Sequence, residues 1–266
     1  MARSRFFITG SSDGLGSLTA QRLVSQGYQV VLHARNPERA RDAAAACPGA
    51  DAVLVADLRN IDEIKRLAVD ADKLGPYDAI IHNAGVFIRS SGNAKDHSTS
   101  SQSQVRGKPL PATFTVNTLA PYLLTCLMAK PKRLVYVSSG MHAGGQPNVG
   151  GHGRLDLTAS GYSDTKLHNV MLAKAFARQW PEVGCYSVDP GWVPTKMGGP
   201  SATGRIEDSI KSFVMLALGE DQEDWTNGGY FYNSRAQRPN AVANDEKLQD
   251  ELLAVLGEIS GVQVPE

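Results

Sequence analysis

The 266-residue chain has no surplus of charge, because 27 Lys and Arg are matched by 27 Asp and Glu. With no net field to draw it to nucleic acid or to an anionic membrane surface, its expected partner is a small molecule. It has only three cysteines, Cys47, Cys126 and Cys185, odd in number, far apart and set among apolar neighbours. That excludes a disulfide framework, offers no metal cluster and fits a reducing compartment. No run of about 18 apolar residues occurs, and the opening MARSRFFITG becomes strand-like without the charged-then-apolar order of an export signal. A soluble, cytoplasmic protein with no membrane partner is expected. No internal repeat or domain linker is visible, and 42% hydrophobic residues suffice for one sizeable core.

What the chain does have is rhythm. Short β-rich runs recur as RFFIT (5–9), QVVLH (29–33), AVLVA (52–56), DAIIH (78–82), RLVYV (133–137), GCYSV (184–188) and GYFYN (229–233). Segments of helical period lie between most of them, such as SLTAQRLVSQG and NIDEIKRLAVDADKLG. This alternation predicts an α/β fold, a doubly wound parallel sheet of about seven strands covered on both faces. Ligands of such sheets bind at the carboxyl ends of the strands, beside the point where strand order reverses. Two stretches interrupt the pattern: the polar 88–111, and the Gly-rich 140–157, which holds His142 and His152. Each is expected to be either a flap over a site or a solvated insertion.

ITGSSDGLGSLTA places Thr9, Gly10, Gly14 and Gly16 between the first strand and the first helix. Glycines here let the backbone approach a pyrophosphate, whose charge the free N–H groups of the helix start can hold. The second strand ends VVLHARN, with Ala34 where a carboxylate for a ribose 2′-hydroxyl is expected and Arg35, suited to a 2′-phosphate, directly after it. NADP(H) is therefore favoured over NAD(H), although Asp13 brings negative charge toward the same region.

In ASGYSDTKLHNVMLAKAF (159–176), Tyr162 and Lys166 are four apart and share one helix face. A free phenol titrates near 10, so only about 0.1% is ionised at pH 7. A neighbouring ammonium and an oxidised nicotinamide would both lower that value toward the working pH. Alone, such a pair is usually a half-buried ring beside a snorkelling lysine.

Together these motifs resemble the short-chain dehydrogenase/reductase family along nearly the whole chain. T-G-x-x-x-G-x-G is Thr9 to Gly16, NAG is Asn83 to Gly85, Y-x-x-x-K is Tyr162 and Lys166, and DPGWVPT is 189–195. The tail from NGGYFYN onward is similar to that of carbonyl-reductase and retinol-dehydrogenase-like members. The resemblance implies one Rossmann-type domain over 1–266, with substrate specificity in 88–111, 140–157 and 196–212. It implies a catalytic set of Ser139 (in VYVSS), Asn117 (in VNTLAPYLLT), Tyr162 and Lys166, with no metal. Only the family pattern favours Ser139 over its neighbour Ser138. The implied cofactor contacts begin with Gly10, Ser12, Gly14, Leu15 and Gly16 in the loop, Arg35 after the second strand, and Asp57 and Leu58 beside the adenine. They continue with Asn83, Ala84, Gly85, Tyr162, Lys166, Pro190, Gly191, Val193 and Thr195, the last on the nicotinamide carboxamide. One departure is the spacing: Ser139 precedes Tyr162 by 23 residues, more than is common in the family, so a histidine-bearing loop is inserted between them.

The activity so implied is NADP(H)-dependent interconversion of a ketone or aldehyde with its alcohol on a small, moderately apolar molecule. Two alternatives are a specialised secondary-metabolism member that reduces an imine or promotes cyclisation, and a non-catalytic NADP-binding sensor. Monomer and dimer both stay open. His142 and His152 read as loop-surface or substrate-pocket residues rather than metal ligands. Trp192 reads as lining the pocket or packing on the sheet edge, and Phe213, Met215 and Leu216 of helix 205–218 read mostly as core.

Overall fold

All seven apolar runs pair within one sheet. The computed structural model describes residues 3–87, 100–105, 108–148, 157, 160–220 and 225–266. The strands are β1 (Arg5–Ile8), β2 (Gln29–Ala34), β3 (Ala52–Val55), β4 (Ala79–His82), β5 (Ser100–Val105), β6 (Lys108–Pro111), β7 (Arg133–Val137), β8 (Gly184–Asp189), β9 (Tyr230–Tyr232) and β10 (Arg235–Gln237). Eight of them form a sheet in the order β10-β9-β8-β7-β4-β1-β2-β3, parallel except for the β9–β10 hairpin. The order reverses beside β1, which lies between β2 and β4. The crevice above the carboxyl ends of β1 and β4 is therefore where a ligand is expected.

Two strand features were not legible. β10 carries no apolar alternation and is exposed throughout; it pairs because Asn233 and Ser234 both adopt positive φ (48° and 59°), the geometry of a tight hairpin. β5 and β6 form a separate hairpin inside the predicted loop 88–111. Backbone pairing does not require an apolar face, so the polar SSQSQV gave no signal.

The helices are α1 (Gly14–Ser25), α2 (Pro37–Ala46), α3 (Ile61–Asp72), α4 (Ala112–Phe114), α5 (Ala120–Leu127), α6 (Tyr162–Gln179), α7 (Ile206–Leu218) and α8 (Glu246–Ser260), with a π-helical segment, Thr115–Leu119, joining α4 to α5. Helix starts follow the sequence: Asn36 accepts from the Arg39 N–H just before Pro37, and Asn60 accepts from those of Asp62 and Glu63. One face of the sheet is packed by α3, α5, α6 and α8, the other by α1, α2 and α7. Phe213, Met215 and Leu216 are buried in the second layer, as expected of core. Cys47, Cys126 and Cys185 are all buried and unpaired. No helix among the described residues is long and apolar enough to cross a membrane.

The C-terminal segment lies across the outer side of the first layer. α8 buries Leu252, Leu253, Val255 and Leu256, each worth roughly 1.5–3 kcal/mol on full burial. At its end and beyond it, the carbonyls of Ser260, Val262 and Pro265 accept from Lys65 on α3, Tyr122 on α5 and Trp180 just after α6.

Candidate active site

The glycine loop is held by the strand across the switch point. Asn83 Nδ2, just after β4, donates to the carbonyls of Thr9 (2.9 Å) and Gly10 (3.0 Å), and the Ala84 N–H donates to Thr9 Oγ1 at 3.0 Å. The contact is too close for side chains. A Cβ on Gly10 would stand 2.8 Å from Ala84 Cα, and one on Gly16 would stand 2.4 Å from Asn83 Nδ2. Gly10 also has φ +64°, which glycine adopts without strain. Gly14 differs, since a Cβ there would reach only Thr195, at 3.8 Å, across open space. The loop and the segment containing Thr195 thus face each other over a cradle lined by the start of α1. Asp13 caps that start without a side-chain hydrogen bond. Exposed backbone, uncapped N–H groups and a gap at this point fit a dinucleotide pyrophosphate.

A buried histidine fixes the floor of the loop. His33 Nδ1 accepts from the Gly10 N–H at 3.0 Å, so its Nε2 donates to the Ala56 carbonyl at 2.9 Å. Burial pushes its pKa down to about 4, against smaller opposing effects of that hydrogen bond and of Asp57. A neutral ring is required here, because a protonated Nδ1 could not accept. Sequence reading passed over His33 as one more strand residue; only its partners reveal its role.

Arg35 is exposed at the end of β2. Arg39, one turn into α2, reaches back to Ser12, donating to its Oγ at 3.3 Å, and pairs with Asp13. Lys196 approaches Asp13 at 3.7 Å. The carboxylate that argued against a 2′-phosphate is therefore already matched by two cations. Asp57 accepts three hydrogen bonds from the Arg59 guanidinium. Burial raises its pKa, but Arg59 outweighs that and the net shift is downward. Leu15, Leu58 and Val193 are buried in the apolar layers, which leaves their backbone to border the cradle.

The two serines after β7 have different tasks. Ser138 Oγ donates to the Lys166 carbonyl at 2.7 Å and is buried, so it anchors α6 to the sheet. Ser139 faces the Tyr162 hydroxyl, and its own Oγ accepts from the Met141 N–H at 3.2 Å. Lys166 lies over the Tyr162 ring, 5.5 Å from its centroid, with Nζ donating to the Val137 carbonyl at 2.9 Å. Asn117 sits in the π-helical segment, a form frequent at functional sites. It exchanges hydrogen bonds with the backbone of Val86 (2.8 and 3.0 Å) and donates to Thr165 at 3.1 Å. Gly85 allows this approach: a Cβ there would lie 3.4 Å from Lys166 Nζ and 3.5 Å from Asn117 Oδ1. Ser139 after β7, Asn117 in the π-helical segment, and Tyr162 and Lys166 on α6 are thus brought together from three elements.

The protein's own groups do not lower the Tyr162 phenol, which was expected of the ammonium acting together with an oxidised nicotinamide: burial raises it, the Ser139 hydrogen bond pulls the other way, and Asp189 adds to the rise. Lys166 is itself driven down to about 8 by burial, with Asp189 opposing, and its Nζ is engaged by a carbonyl. Without a cofactor the phenol keeps its proton.

His142 is also corrected. It is buried rather than on the loop surface: Nδ1 bonds the Ser139 carbonyl at 2.8 Å, and Nε2 accepts from the Asn240 N–H at 3.1 Å. Asn240, far along the chain, also donates to the carbonyls of Ala143 and Gly145 and so clamps the start of the insertion. His152 and most of the remaining insertion lie outside the described residues. No potential metal cluster occurs among the described residues. Trp192 is exposed, its indole N–H donating to the Gly198 carbonyl at 2.9 Å. Two exposed apolar side chains lie against Tyr162: Phe87 packs on its ring in a tilted arrangement with centroids 4.5 Å apart, and Met197 Sδ lies 3.9 Å from its hydroxyl.

Comparison with known proteins agrees with this geometry. A family profile described as short chain dehydrogenase matches residues 5–205. An uncharacterized oxidoreductase of Emericella nidulans is 44% identical over 264 residues, 98% of each chain. The short-chain dehydrogenase chyC of Penicillium rubens is 36% identical over 98% of this chain and 99% of its own. Among solved structures, the NADPH-bound carbonyl reductase from chicken fatty liver shares the fold, with a TM-score of 0.63 at 19% identity over 89% of this chain and 99% of that one. With its sheet order, its glycine loop and relatives that match end to end, the chain belongs to the short-chain dehydrogenase/reductase family of oxidoreductases.

Proposed function

We propose that the chain is an NADP(H)-dependent oxidoreductase that interconverts a ketone or aldehyde and its alcohol on a small, moderately apolar molecule. The observation that carries this reading is the Tyr162 hydroxyl, paired with Ser139 and open to a rim of Phe87 and Met197. The reduced nicotinamide supplies a hydride to the carbonyl carbon. Tyr162 gives its proton to the carbonyl oxygen as the carbon–oxygen π pair moves onto that oxygen. Ser139 hydrogen-bonds the same oxygen, a contact that strengthens as negative charge develops. Lys166 holds the nicotinamide ribose and favours the phenolate left behind, and Asn117 links the lysine to a proton route. The apolar rim beside the Tyr162 hydroxyl suits a substrate with a hydrophobic body. The test is a fluorescence titration with NADPH and NADH, followed by a panel of ketones, aldehydes and quinones. NADPH oxidation on any panel member supports the reading; binding without turnover on a broad panel turns it toward a specialised substrate or a sensor.

Arg35 and Arg39 support the choice of NADP(H). A charge-assisted hydrogen bond contributes roughly 1.5–3 kcal/mol, about tenfold to over a hundredfold in affinity. Arg35→Ala and Arg39→Ala are each expected to weaken NADPH by such a factor and NADH by far less. Equal losses for the two dinucleotides would overturn the assignment.

The position of α8 and the tail supports a monomer. They occupy the outer side of α3, α5 and α6, where a helix-to-helix partner would otherwise pack. Sedimentation equilibrium is expected to give the mass of one chain, and a dimer at micromolar concentration would contradict it.

A further inference from the structure

The Val137 carbonyl closes β7 beyond the reach of its neighbouring strand. β4 and β7 pair as far as His82 and Tyr136, in a phase set by the Arg133 N–H, which donates to the Asp78 carbonyl at 2.9 Å. One step further, the evenly spaced bonds of a parallel ladder would bring the Ala84 N–H to Val137. That N–H is spent on Thr9 Oγ1 instead, at 3.0 Å, where the chain turns to hold the glycine loop. The carbonyl is met by two side chains of α6: Lys166 Nζ donates to it at 2.9 Å and Asn169 Nδ2 at 3.0 Å. Asn169 is an unusual occupant of this place. It is buried in the middle of α6, where asparagine is a weak helix former, and its Oδ1 has no donor among the described residues. A buried amide that leaves one end unpaired and gives the other to a carbonyl already held by a lysine adds little to folding, and calls for another reason. The second donor matters when the first one leaves.

We propose that Asn169 is a positioning residue for Lys166: it keeps the Val137 carbonyl paired and so frees the ammonium to leave that oxygen for the nicotinamide ribose. The inference rests on the hydride-transfer reading above, in which Lys166 holds the ribose. With Asn169 in place, the departing Nζ leaves a satisfied acceptor behind. Without it, the same movement would orphan a buried carbonyl, worth about five- to a hundredfold in an equilibrium. The helix itself need not move, because Ser138 Oγ holds its backbone at the Lys166 carbonyl, 2.7 Å away, independently of the ammonium.

Asn169→Leu removes one donor and keeps the branched shape, and Lys166→Met removes the other. The first arm of the test needs no cofactor: urea unfolding of the parent, the two single variants and the double variant. Each donor covers for the other, so the double variant is expected to lose more stability than the two singles summed. Strictly additive losses would show that the carbonyl is not shared and would overturn the proposal. The second arm is a fluorescence titration of the same four chains with NADPH. Asn169→Leu should raise the Kd by about five- to a hundredfold in the parent, and by no more than about twofold beside Lys166→Met, where no ammonium has to leave. A residue that merely supports the fold would weaken both backgrounds alike, and that result overturns the proposal. So does an unchanged Kd in the parent, which would mean that Nζ serves the ribose without giving up the carbonyl. Asn169→Val provides the same comparisons if Asn169→Leu does not fold. A parent that binds NADPH but reduces no carbonyl would defeat the hydride-transfer reading alone, because both arms read folding and binding rather than turnover.

Discussion

Tyr162→Phe is expected to lower kcat for carbonyl reduction by roughly 10²- to 10⁴-fold, the usual worth of a positioned acid or base. The change removes one oxygen and little else. The ring would keep its packing against Phe87, 4.5 Å between centroids, and its place beneath the Lys166 ammonium. The glycine loop, Arg35 and Arg39 lie on other elements, so the Kd for NADPH should change by no more than about twofold. What disappears is the partner of Ser139 and the proton proposed to transfer to the substrate oxygen. Steady-state rates together with a cofactor titration separate the two effects. Turnover retained within tenfold would point to another acid, whereas loss of NADPH binding would show that the phenol holds the cofactor in place rather than the proton.

Mild acid is expected to unfold the protein well before its carboxylates are neutralised. Burial pushes His33 down to about 4, His82 to about 3 and His168 to about 4. A histidine whose folded value lies below the unfolded value of about 6.5 binds fewer protons in the native state. Stability therefore falls as pH drops from about 6.5 toward 4. The unit cost of 1.36 kcal/mol gives each ring on the order of 3 kcal/mol across that range, and together they rival the roughly 5–15 kcal/mol that holds a domain folded. The surroundings leave little room for relaxation. His82 Nε2 is bonded to Thr125 at 3.0 Å, within a chain that continues to Tyr136 at 2.8 Å, and its ring stacks on that tyrosine. His168 bonds Thr118 at 3.2 Å from the middle of α6. The thermal midpoint should drop steeply between pH 6.5 and 4.5, and His82→Gln should flatten the slope. A midpoint constant over that interval would mean that the rings find solvent or a partner when charged. Asp57 and Asp78, both held low, add their losses only below the ordinary carboxylate range.

Much of this was legible from local pattern. Seven apolar runs became seven strands of the sheet; most are buried on both faces, and such a strand must be apolar throughout, which shows without any knowledge of its partners. The glycines of the first loop and the i, i+4 placement of Tyr162 and Lys166 were equally local, and the order of the motifs pointed to the family and its four-residue set. The hairpin β5–β6 and strand β10 were not legible, because pairing there is a matter of backbone geometry on polar residues. The choice between Ser138 and Ser139 also needed the fold: only the packed helix shows that one hydroxyl is spent on the Lys166 carbonyl while the other faces the phenol.

Sequence by itself determined the seven apolar strands of the sheet and which reactive groups the chain carries, since hydrophobic period, turn chemistry and helix spacing are properties of neighbouring residues. Tertiary structure alone decided the state of those groups. Whether Tyr162 keeps its proton, whether Asp13 repels or is matched by Arg39 and Lys196, and whether His33 and His142 are surface or scaffold depend on desolvation and on charges brought close from distant parts of the chain. Those quantities vary with distance in space, which the order of residues does not contain.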